Sequence, residues 1–325
     1  MIGSRTPLRV SFFGGGTDFK DYYKLDYGCV LSTAIDKYVY IMVNKRFDGK
    51  IQLNYRMTEI VDNVDQIFHP TIREAMRFSG ITNGIELSNM ADFPAYGTGL
   101  GSSSSFLAGM LNAFYTYKGT EFDTERLAQD ACKIEIETLR EPIGKHDQYI
   151  AAYGGFRFIR FNKDDTVTVE TVNAKPETVK DLQSKLLFFY TGISRASSSV
   201  LKEQKQNIED KIDFLNKLRG MAEKMRSELE HGKIDSFGEM LHESWLAKRS
   251  LASGVANAAI DHYYQLAMSA GAKGGKVLGA GGGGFFMFYC EKENQEKVRK
   301  ALGNLREVKF NFPVEGSKII FDDSK

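Results

Sequence analysis

The chain has 325 residues, of which 42% are hydrophobic, and its 43 Lys and Arg residues balance 42 Asp and Glu residues to a net charge of +1. At about 150 residues per domain this length predicts two domains, and the lack of a basic surplus argues against a nucleic-acid-binding protein. No apolar run is long enough to predict a transmembrane helix, and the N-terminal sequence lacks the apolar core of a signal peptide, so we predict a cytoplasmic protein without membrane partners.

Strands and helices alternate irregularly in the first half of the chain. β-Branched and aromatic runs predict strands, and apolar residues at helical spacing predict helices. In chain order we predict strands at 8–14, 37–46, 50–56, 84–89, 154–161 and 166–172, and helices at 66–79, from Ser102 onward and at 123–139. We expect Asp48-Gly49 to join strands 37–46 and 50–56 as a paired hairpin, and Asp164-Asp165 to join the last two strands.

The second half has longer helices and a glycine-rich hairpin. A polar segment at 173–179, which contains Pro176, predicts a domain boundary that divides the chain into 1–175 and 176–325. Beyond it we predict strands at 185–192, 276–278, 285–290, 308–312 and 317–322, and helices at 197–231, 234–250, 257–270 and 292–303. Both halves mix the two element types without regular βαβ alternation, which predicts an α+β fold rather than a doubly wound sheet.

Three glycine clusters, at 14–16, 97–101 and 279–284, are candidates for phosphate-binding loops. A Walker A loop is excluded because no Lys precedes the serines in the required spacing. The third cluster matches G-x-G-x-x-G, but a strand-like segment follows it where a dinucleotide-binding fold requires a helix. We therefore reject a nicotinamide oxidoreductase.

The middle cluster, in "YGTGLGSSSSFLAGM" (96–110), has a different context. Its glycines lead directly into a helix that begins with four serines, and a single serine suffices to cap a helix. Backbone N–H groups and the positive end of the helix dipole bind anions at such a position. The segment predicts a phosphate site, and how the serines divide between capping and binding stays open.

Four segments together resemble the GHMP small-molecule kinase superfamily, which includes galactokinase, homoserine kinase, mevalonate kinase and phosphomevalonate kinase. "TGLGSSSS" resembles the family's phosphate loop, and "RTPLRVSFFGGGTD" (5–18) its N-terminal motif. "EPIGKHDQY" (141–149) looks like the region of the catalytic aspartate, and "KVLGAGGGGFFMFY" (276–289) like the C-terminal glycine motif. The resemblance implies a ribosomal protein S5 domain 2-like N-terminal domain with a left-handed β-α-β unit, and a ferredoxin-like C-terminal domain.

Within the superfamily, the N-terminal motif "RTPLRVSFFGGGTD" and the aspartate region "EPIGKHDQY" look most like those of sugar 1-kinases. The resemblance implies phosphoryl transfer from ATP, with Mg²⁺, to the anomeric hydroxyl of a heptose 7-phosphate, in a monomer or homodimer. An L-fucokinase-like activity on another sugar is the alternative. A catalytically silent sugar or nucleotide sensor on the same fold is the competing class, and the joint presence of Asp147, Glu135 and Arg9 argues against it.

The resemblance also implies roles for individual residues. Asp147 would accept a hydrogen bond and then the proton from the sugar hydroxyl, and Arg9 would keep it ionised and stabilise the transferring phosphoryl group; Lys145 is a weaker candidate for that role, and His146 is not expected to be catalytic. Glu135 would bind Mg²⁺ with Ser102, Glu137 being the alternative carboxylate. The ATP phosphates would contact Gly97, Gly99, Leu100, Gly101, Ser102, Ser103 and Ser104. The substrate would contact Gly15, Gly16, Asp18, Arg195, Gly282 and Gly283.

Overall fold

A computed structural model describes residues 1–94, 97–193 and 197–323 of the chain, without the side chain of residue 197. The strands are β1 (Ile2–Phe13), β2 (Tyr27–Lys45), β3 (Ile51–Asn54), β4 (Thr58–Val61), β5 (Ile85–Ala91), β6 (Phe156–Asn162), β7 (Val167–Thr171), β8 (Leu186–Tyr190), β9 (Gly274–Val277), β10 (Phe285–Tyr289), β11 (Arg306–Glu307) and β12 (Lys318–Asp322). The helices are α1 (Lys20–Tyr23), α2 (Pro70–Phe78), α3 (Ser102–Lys118), α4 (Thr124–Cys132), α5 (His146–Tyr153), α6 (Pro176–Lys185), α7 (Ser197–Gln206), α8 (Ile212–Glu230), α9 (Phe237–Arg249), α10 (Ala258–Ser269) and α11 (Lys292–Ala301).

The first sheet is organised around β2, which is 19 residues long. One end of β2 pairs with β5 and the other with β6, while β1 runs antiparallel along most of its length. The path across the sheet is β12-β1-β2-β5-β3-β4. The strand nearest the C-terminus thus lies in the sheet of the N-terminal half, beside β1. The division at 175/176 places β12 with the C-terminal domain, and that division stays a prediction.

The hairpin predicted around Asp48-Gly49 is wrong in its pairing. Both strands form, but β5 lies between them, antiparallel to β2 and parallel to β3. The turn residues mark the chain reversal correctly, yet the edges at which the two strands would pair with each other both pair with β5, which begins more than 30 residues after the turn. β3 instead forms an antiparallel pair with β4. The second predicted hairpin is confirmed, because β6 and β7 pair directly.

Helix α3 is the central helix of this half and is buried on almost every face. A helix that is apolar all round belongs inside a protein, and this one contacts β1, β2, α2, α4 and α5. Gly109 permits the close approach to β1, since a Cβ there would lie 2.7 Å from Thr6 Oγ1. In the same place the Ser4 hydroxyl donates to the Gly109 carbonyl oxygen at 2.6 Å. The middle of α3 is therefore held against β1.

The second sheet is antiparallel in the order β11-β8-β10-β9, and the predicted glycine-turn hairpin of β9 and β10 is confirmed. The single helix predicted over 197–231 is wrong, because the chain breaks between α7 and α8. There Ile208 is buried and the Asn207 side chain donates to the Leu251 carbonyl oxygen at 3.0 Å, so tertiary contacts override the helical pattern. The strand predicted at 308–312 is also wrong: after β11, Phe310 packs between Phe188 and Phe285 instead of extending the sheet.

Among the described residues, no helix is both long enough and apolar enough to cross a membrane.

Candidate active site

A glycine loop leads into α3 through left-handed backbone conformations. Gly97, Gly99 and Gly101 have φ angles of 76°, 75° and 76°, which glycine adopts at little cost. Gly101 is the N-cap residue, and no side-chain hydrogen bond caps the helix there. Since the first N–H groups of a helix have no partner within it, the loop and the helix start together form a site suited to an anion.

The four serines at the start of α3 divide into three groups by the partners of their hydroxyls. Only the middle two meet the carboxylate that the sequence predicts as a metal ligand. The partners are Thr98 Oγ1 for Ser102 (3.3 Å), the Glu135 carboxylate for Ser103 and Ser104 (2.7 Å each) and the Pro7 carbonyl oxygen for Ser105 (2.8 Å).

Glu135 lies in a π-helical segment, Lys133–Thr138, that continues α4. It is 2% exposed, whereas Glu137 is exposed, so of the two carboxylates only Glu135 reaches the serines. Burial raises the pKa of Glu135, and hydrogen bonds from the two serines and from Gln148 (2.6 Å) act in the opposite direction. One carboxylate beside two serine hydroxyls is a set of hard oxygen donors that fits Mg²⁺. The buried Gln148 Oε1 has no hydrogen-bond partner and is a further acceptor here.

Arg9 and Asp147 form a bidentate ion pair at the loop. Arg9 Nε and Nη2 donate to the two carboxylate oxygens, each at 2.7 Å, and Nη1 donates to the Gly99 carbonyl oxygen at 2.6 Å. The Arg9 backbone N–H donates to the Leu100 carbonyl oxygen at 3.0 Å. Burial opposes ionisation of Asp147, but Arg9 and His146 outweigh it and hold the pKa of Asp147 well below its usual range. The predicted pair is thus joined directly to the phosphate loop.

His146 holds the other side of Asp147. Its Nδ1 lies 2.9 Å from Asp147 Oδ1 and its Nε2 lies 2.9 Å from the Ser32 hydroxyl. The ring is 5% exposed and so has one fixed orientation. His146 is a positioning residue for the carboxylate, a role that the sequence did not suggest because no metal or nucleophile spacing surrounds it.

Asp18 lies beside these residues, in a turn that the glycines make possible. Its Oδ1 accepts from the Gly16 backbone N–H at 3.1 Å and its Oδ2 from the His146 N–H at 3.3 Å. A Cβ on Gly144 would lie 2.1 Å from Asp18 Oδ2, so glycine at 144 is required for this approach. The structure therefore brings Asp18 next to the Asp147 segment.

The remaining predicted residues have different surroundings. Lys145 donates to the Asp165 carbonyl oxygen at 2.9 Å, away from Asp147, which weakens its candidacy. A Cβ on Gly15 would meet nothing within 4 Å, so this position faces open space. Gly282 donates its N–H to Val255, and Gly283 packs against Ile193. Arg195 lies outside the described residues.

The C-terminal glycine turn packs against the phosphate loop. A Cβ on Gly99 would lie 2.4 Å from the Leu278 carbonyl oxygen, and one on Gly279 would lie 2.7 Å from Gly99 Cα. The Phe285 N–H also donates to the Thr98 carbonyl oxygen at 3.1 Å. The two glycine clusters, predicted separately, thus form one backbone-to-backbone contact between the two halves of the chain.

Two buried lysines at this contact were not predicted as site residues from the sequence. Lys248, in α9, donates to the Gly279 carbonyl oxygen, and Lys276, in β9, donates to the Phe12 carbonyl oxygen at 3.0 Å. A signal for Lys248 was present, because it follows Leu241 by seven residues and so lies on the buried face of its helix. Lys276 is the charged residue of a strand whose four residues are all buried.

Comparison with known proteins agrees with this arrangement. Residues 66–155 match the model described as the N-terminal domain of GHMP kinases, and residues 225–306 match that described as the GHMP kinase C-terminal domain. The first match contains the phosphate loop, Glu135 and Asp147; the second contains Lys248 and the glycine turn.

Relatives that match along nearly their whole length are also kinases of this family. The chain is 29% identical over 335 residues to D-glycero-alpha-D-manno-heptose 7-phosphate kinase of Campylobacter jejuni, covering 98% of each. It is 27% identical to a galactokinase of Pyrococcus furiosus over 96% of this chain and 94% of that protein. A solved structure of a D-glycero-D-manno-heptose 1-phosphate kinase from Bacteroides thetaiotaomicron superposes with a TM-score of 0.83 at 26% identity, over 100% of both chains.

These matches confirm the α+β, two-domain architecture expected from the sequence. The chain belongs to the GHMP kinase family and is a phosphotransferase with a hydroxyl group as acceptor.

Proposed function

We propose that this kinase transfers the γ-phosphoryl group of ATP to the anomeric hydroxyl of D-glycero-D-manno-heptose 7-phosphate, giving the 1,7-bisphosphate. The observation that carries the proposal is the Arg9–Asp147 pair, bonded through Gly99 to an anion-binding loop. A carboxylate that stays ionised beside a loop suited to phosphates supports phosphoryl transfer to a hydroxyl group. The extent of the match to the C. jejuni heptose 7-phosphate kinase supports the choice of acceptor.

Asp147 receives the acceptor. Its lowered pKa keeps it a carboxylate at neutral pH, so it accepts a hydrogen bond from the sugar hydroxyl and orients the oxygen for attack. A loose phosphoryl-transfer transition state needs little base strength, because the proton leaves the hydroxyl late. As the new O–P bond forms, the proton passes to Asp147 and the γ-phosphoryl bond to the leaving ADP breaks.

The chain's other residues bind and stabilise charge. The N–H groups of the loop and of the first turn of α3 hold the phosphates, and Arg9 stabilises charge on the transferring group. Glu135, with serine hydroxyls of the first turn, would hold Mg²⁺, which when bound neutralises phosphate charge. Ser102 is the hydroxyl nearest Thr98 in the loop, whereas Ser103 and Ser104 contact Glu135 directly.

The acceptor is tested by a coupled ADP-release assay over a panel of sugars, with phosphorus NMR of the product. The panel contains the heptose 7-phosphate, the heptose 1-phosphate, L-fucose and galactose, because the names of the two heptose kinases differ in the position of the phosphate. We expect turnover with the 7-phosphate and a second resonance from an anomeric phosphate. A new phosphate on the primary hydroxyl would reject the 1-kinase assignment.

Asp147→Asn tests the role of the carboxylate in the same assay. We expect kcat to fall about 10²- to 10⁴-fold, the usual contribution of a positioned acid or base, with little change in the KM for ATP. Turnover at the wild-type rate with the active acceptor would show that Asp147 does not receive the hydroxyl. Asp164→Asn, in the β6–β7 turn, is the matched control.

A further inference from the structure

Lys248 and Lys276 are buried lysines, and no carboxylate of the described residues forms an ion pair with either amine. Their exposures are 7% and 2%, and a buried ammonium group is costly unless it is paired. Across the described ranges, the contacts of both amines are backbone carbonyl oxygens, of Gly279 and of Phe12. The two amines therefore lack the carboxylate partner that usually accompanies a buried lysine.

The surrounding charges do not supply a partner for Lys248. The groups that act on it are Arg9 of β1, Asp18 of the following turn and Asp147 of α5, while Lys276 of β9 lies close enough for Lys248 to affect it in turn. Both carboxylates are already engaged: Asp147 by Arg9, and Asp18 by backbone N–H groups. Burial and Arg9 lower the pKa of Lys248 to about 8. Burial, Lys248 and Arg9 in turn lower the pKa of Lys276 well below its usual range. The Lys248 amine thus has basic neighbours on one side and two occupied carboxylates on the other.

The position of the Lys248 amine indicates its use. Lys248 is bonded to the glycine turn whose residue 279 packs on Gly99, and Gly99 in turn accepts from Arg9. The Lys248 amine therefore lies where the C-terminal glycine turn contacts the phosphate loop. We propose that Lys248 is a substrate-contacting residue whose ammonium group binds a phosphate oxygen when substrates occupy the site.

That oxygen belongs either to the terminal phosphate of the nucleotide or to the phosphate that the acceptor already carries. The second source rests on the proposed function, and the first requires only that the chain is a kinase. Affinities of wild type and Lys248→Met, measured by calorimetry for two ligand pairs, separate them. The pairs are a non-hydrolysable ATP analogue against ADP, both with Mg²⁺, and heptose 7-phosphate against the same heptose without phosphate.

In one of the two pairs, we expect Lys248→Met to weaken binding of the ligand with the additional phosphate about 10- to 100-fold, as loss of a charged hydrogen bond does. The affinity for the other ligand of that pair should fall much less. Arg249→Met is the control, since Arg249 is next along α9 but pairs with Asp261 at 2.8 Å. If the affinity ratio within both pairs stays unchanged, the proposal is wrong. Failure of wild type to bind either heptose rejects the acceptor assignment alone, because the nucleotide pair still reports on Lys248.

Thermal unfolding distinguishes ligand binding from a structural role. Methionine fills a similar volume without the desolvation cost of a buried charge, so the Lys248→Met protein should unfold at the same temperature as wild type or higher. A lower unfolding temperature together with unchanged ligand affinities would show that Lys248 serves only to hold the Gly279 turn.

Proton uptake gives an independent readout. A phosphate beside Lys248 raises its pKa above about 8, so binding at pH 8.5, where phosphates are fully ionised, should draw in a proton. Calorimetry in two buffers of different ionisation enthalpy measures this uptake. We expect it to be smaller in Lys248→Met than in wild type, and equal uptake in the two proteins would overturn the proposal.

Discussion

At the scale of single residues, the ionisation of Asp147 depends on opposing effects. Burial favours the protonated form, and the Arg9 guanidinium and the His146 ring together favour the carboxylate. Because the folded-state pKa lies below the unfolded value of about 3.9, the pair stabilises the fold above that pH and loses its effect as pH falls. The chemistry and the stability of the site therefore share one charge pair.

Arg9→Met is expected to move the acid limb of activity toward neutral pH. Without the guanidinium, burial raises the pKa of Asp147, so kcat of the variant should decline at a higher pH than kcat of wild type, besides being lower throughout. The check is a pH profile of kcat from 4.5 to 8 at saturating substrates. Arg5→Met is the control, because Arg5 lies on the same strand but pairs with Glu315; coincident acid limbs for Arg9→Met and wild type would contradict the prediction.

The residues that the sequence could and could not identify differ in a physical way. Arg9, Glu135 and Asp147 were predicted because the family's motifs fix their place relative to the phosphate loop. The choice between Glu135 and Glu137 stayed open, because the face that each occupies depends on a π-helical turn that local propensity does not encode. The spacing of Lys248 from Leu241 puts it on the buried face of an amphipathic helix, but only the packing of the two halves shows that its amine contacts Gly279.

At the scale of elements, the phosphate loop is shaped by what packs behind it. The residue pattern predicts the pairing of β6 with β7 correctly, because these two strands are adjacent in the chain. It does not predict the pairing of β2 and β3, because their shared neighbour β5 lies in a distant segment of the chain. The same limit applies to the loop, whose glycines are required by Leu278 and Gly279 of the other half.

Gly99→Ala is expected to damage the site through this contact. The added methyl group would lie 2.4 Å from the Leu278 carbonyl oxygen at a φ of +75°, so the loop must shift. We expect a loss of stability of about 1–3 kcal/mol, typical of such backbone strain, and a KM for ATP raised roughly tenfold, the effect of about 1.4 kcal/mol in lost binding. Chemical denaturation and steady-state kinetics measure the two effects.

Gly80→Ala distinguishes the effect of backbone strain from that of a steric clash between the added methyl group and a neighbour. Gly80 has a φ of +66° but nothing within 4 Å of its added Cβ, and it lies outside the site. It should lose stability without a change in the KM for ATP. Equal effects of the two substitutions on KM would show that the contact between the halves does not shape the loop.

At the scale of the whole molecule, the two halves are joined in more than one place. Besides the glycine contact, β12 returns to the first sheet and pairs with β1. Ser317, just before it, bonds to Thr6 at 2.8 Å and to Asn112 at 3.0 Å. The last strand therefore helps to hold β1, and with it Arg9, against α3.

Removal of residues 317–325 is expected to lower the unfolding temperature and to promote aggregation, because it leaves β1 as an unpaired sheet edge. Thermal unfolding followed by light scattering tests this, with removal of residues 324–325 alone as the control. An unchanged unfolding temperature in the longer truncation would show that β1 is held adequately by β2.

The hydrogen bond from the Phe285 N–H to the Thr98 carbonyl oxygen has a practical consequence. This amide belongs to one sheet and its acceptor to the loop of the other half, so it can exchange with deuterium only when the two separate. Its exchange rate therefore measures how often the phosphate loop separates from β10, and it can be followed with each ligand in turn and without any turnover.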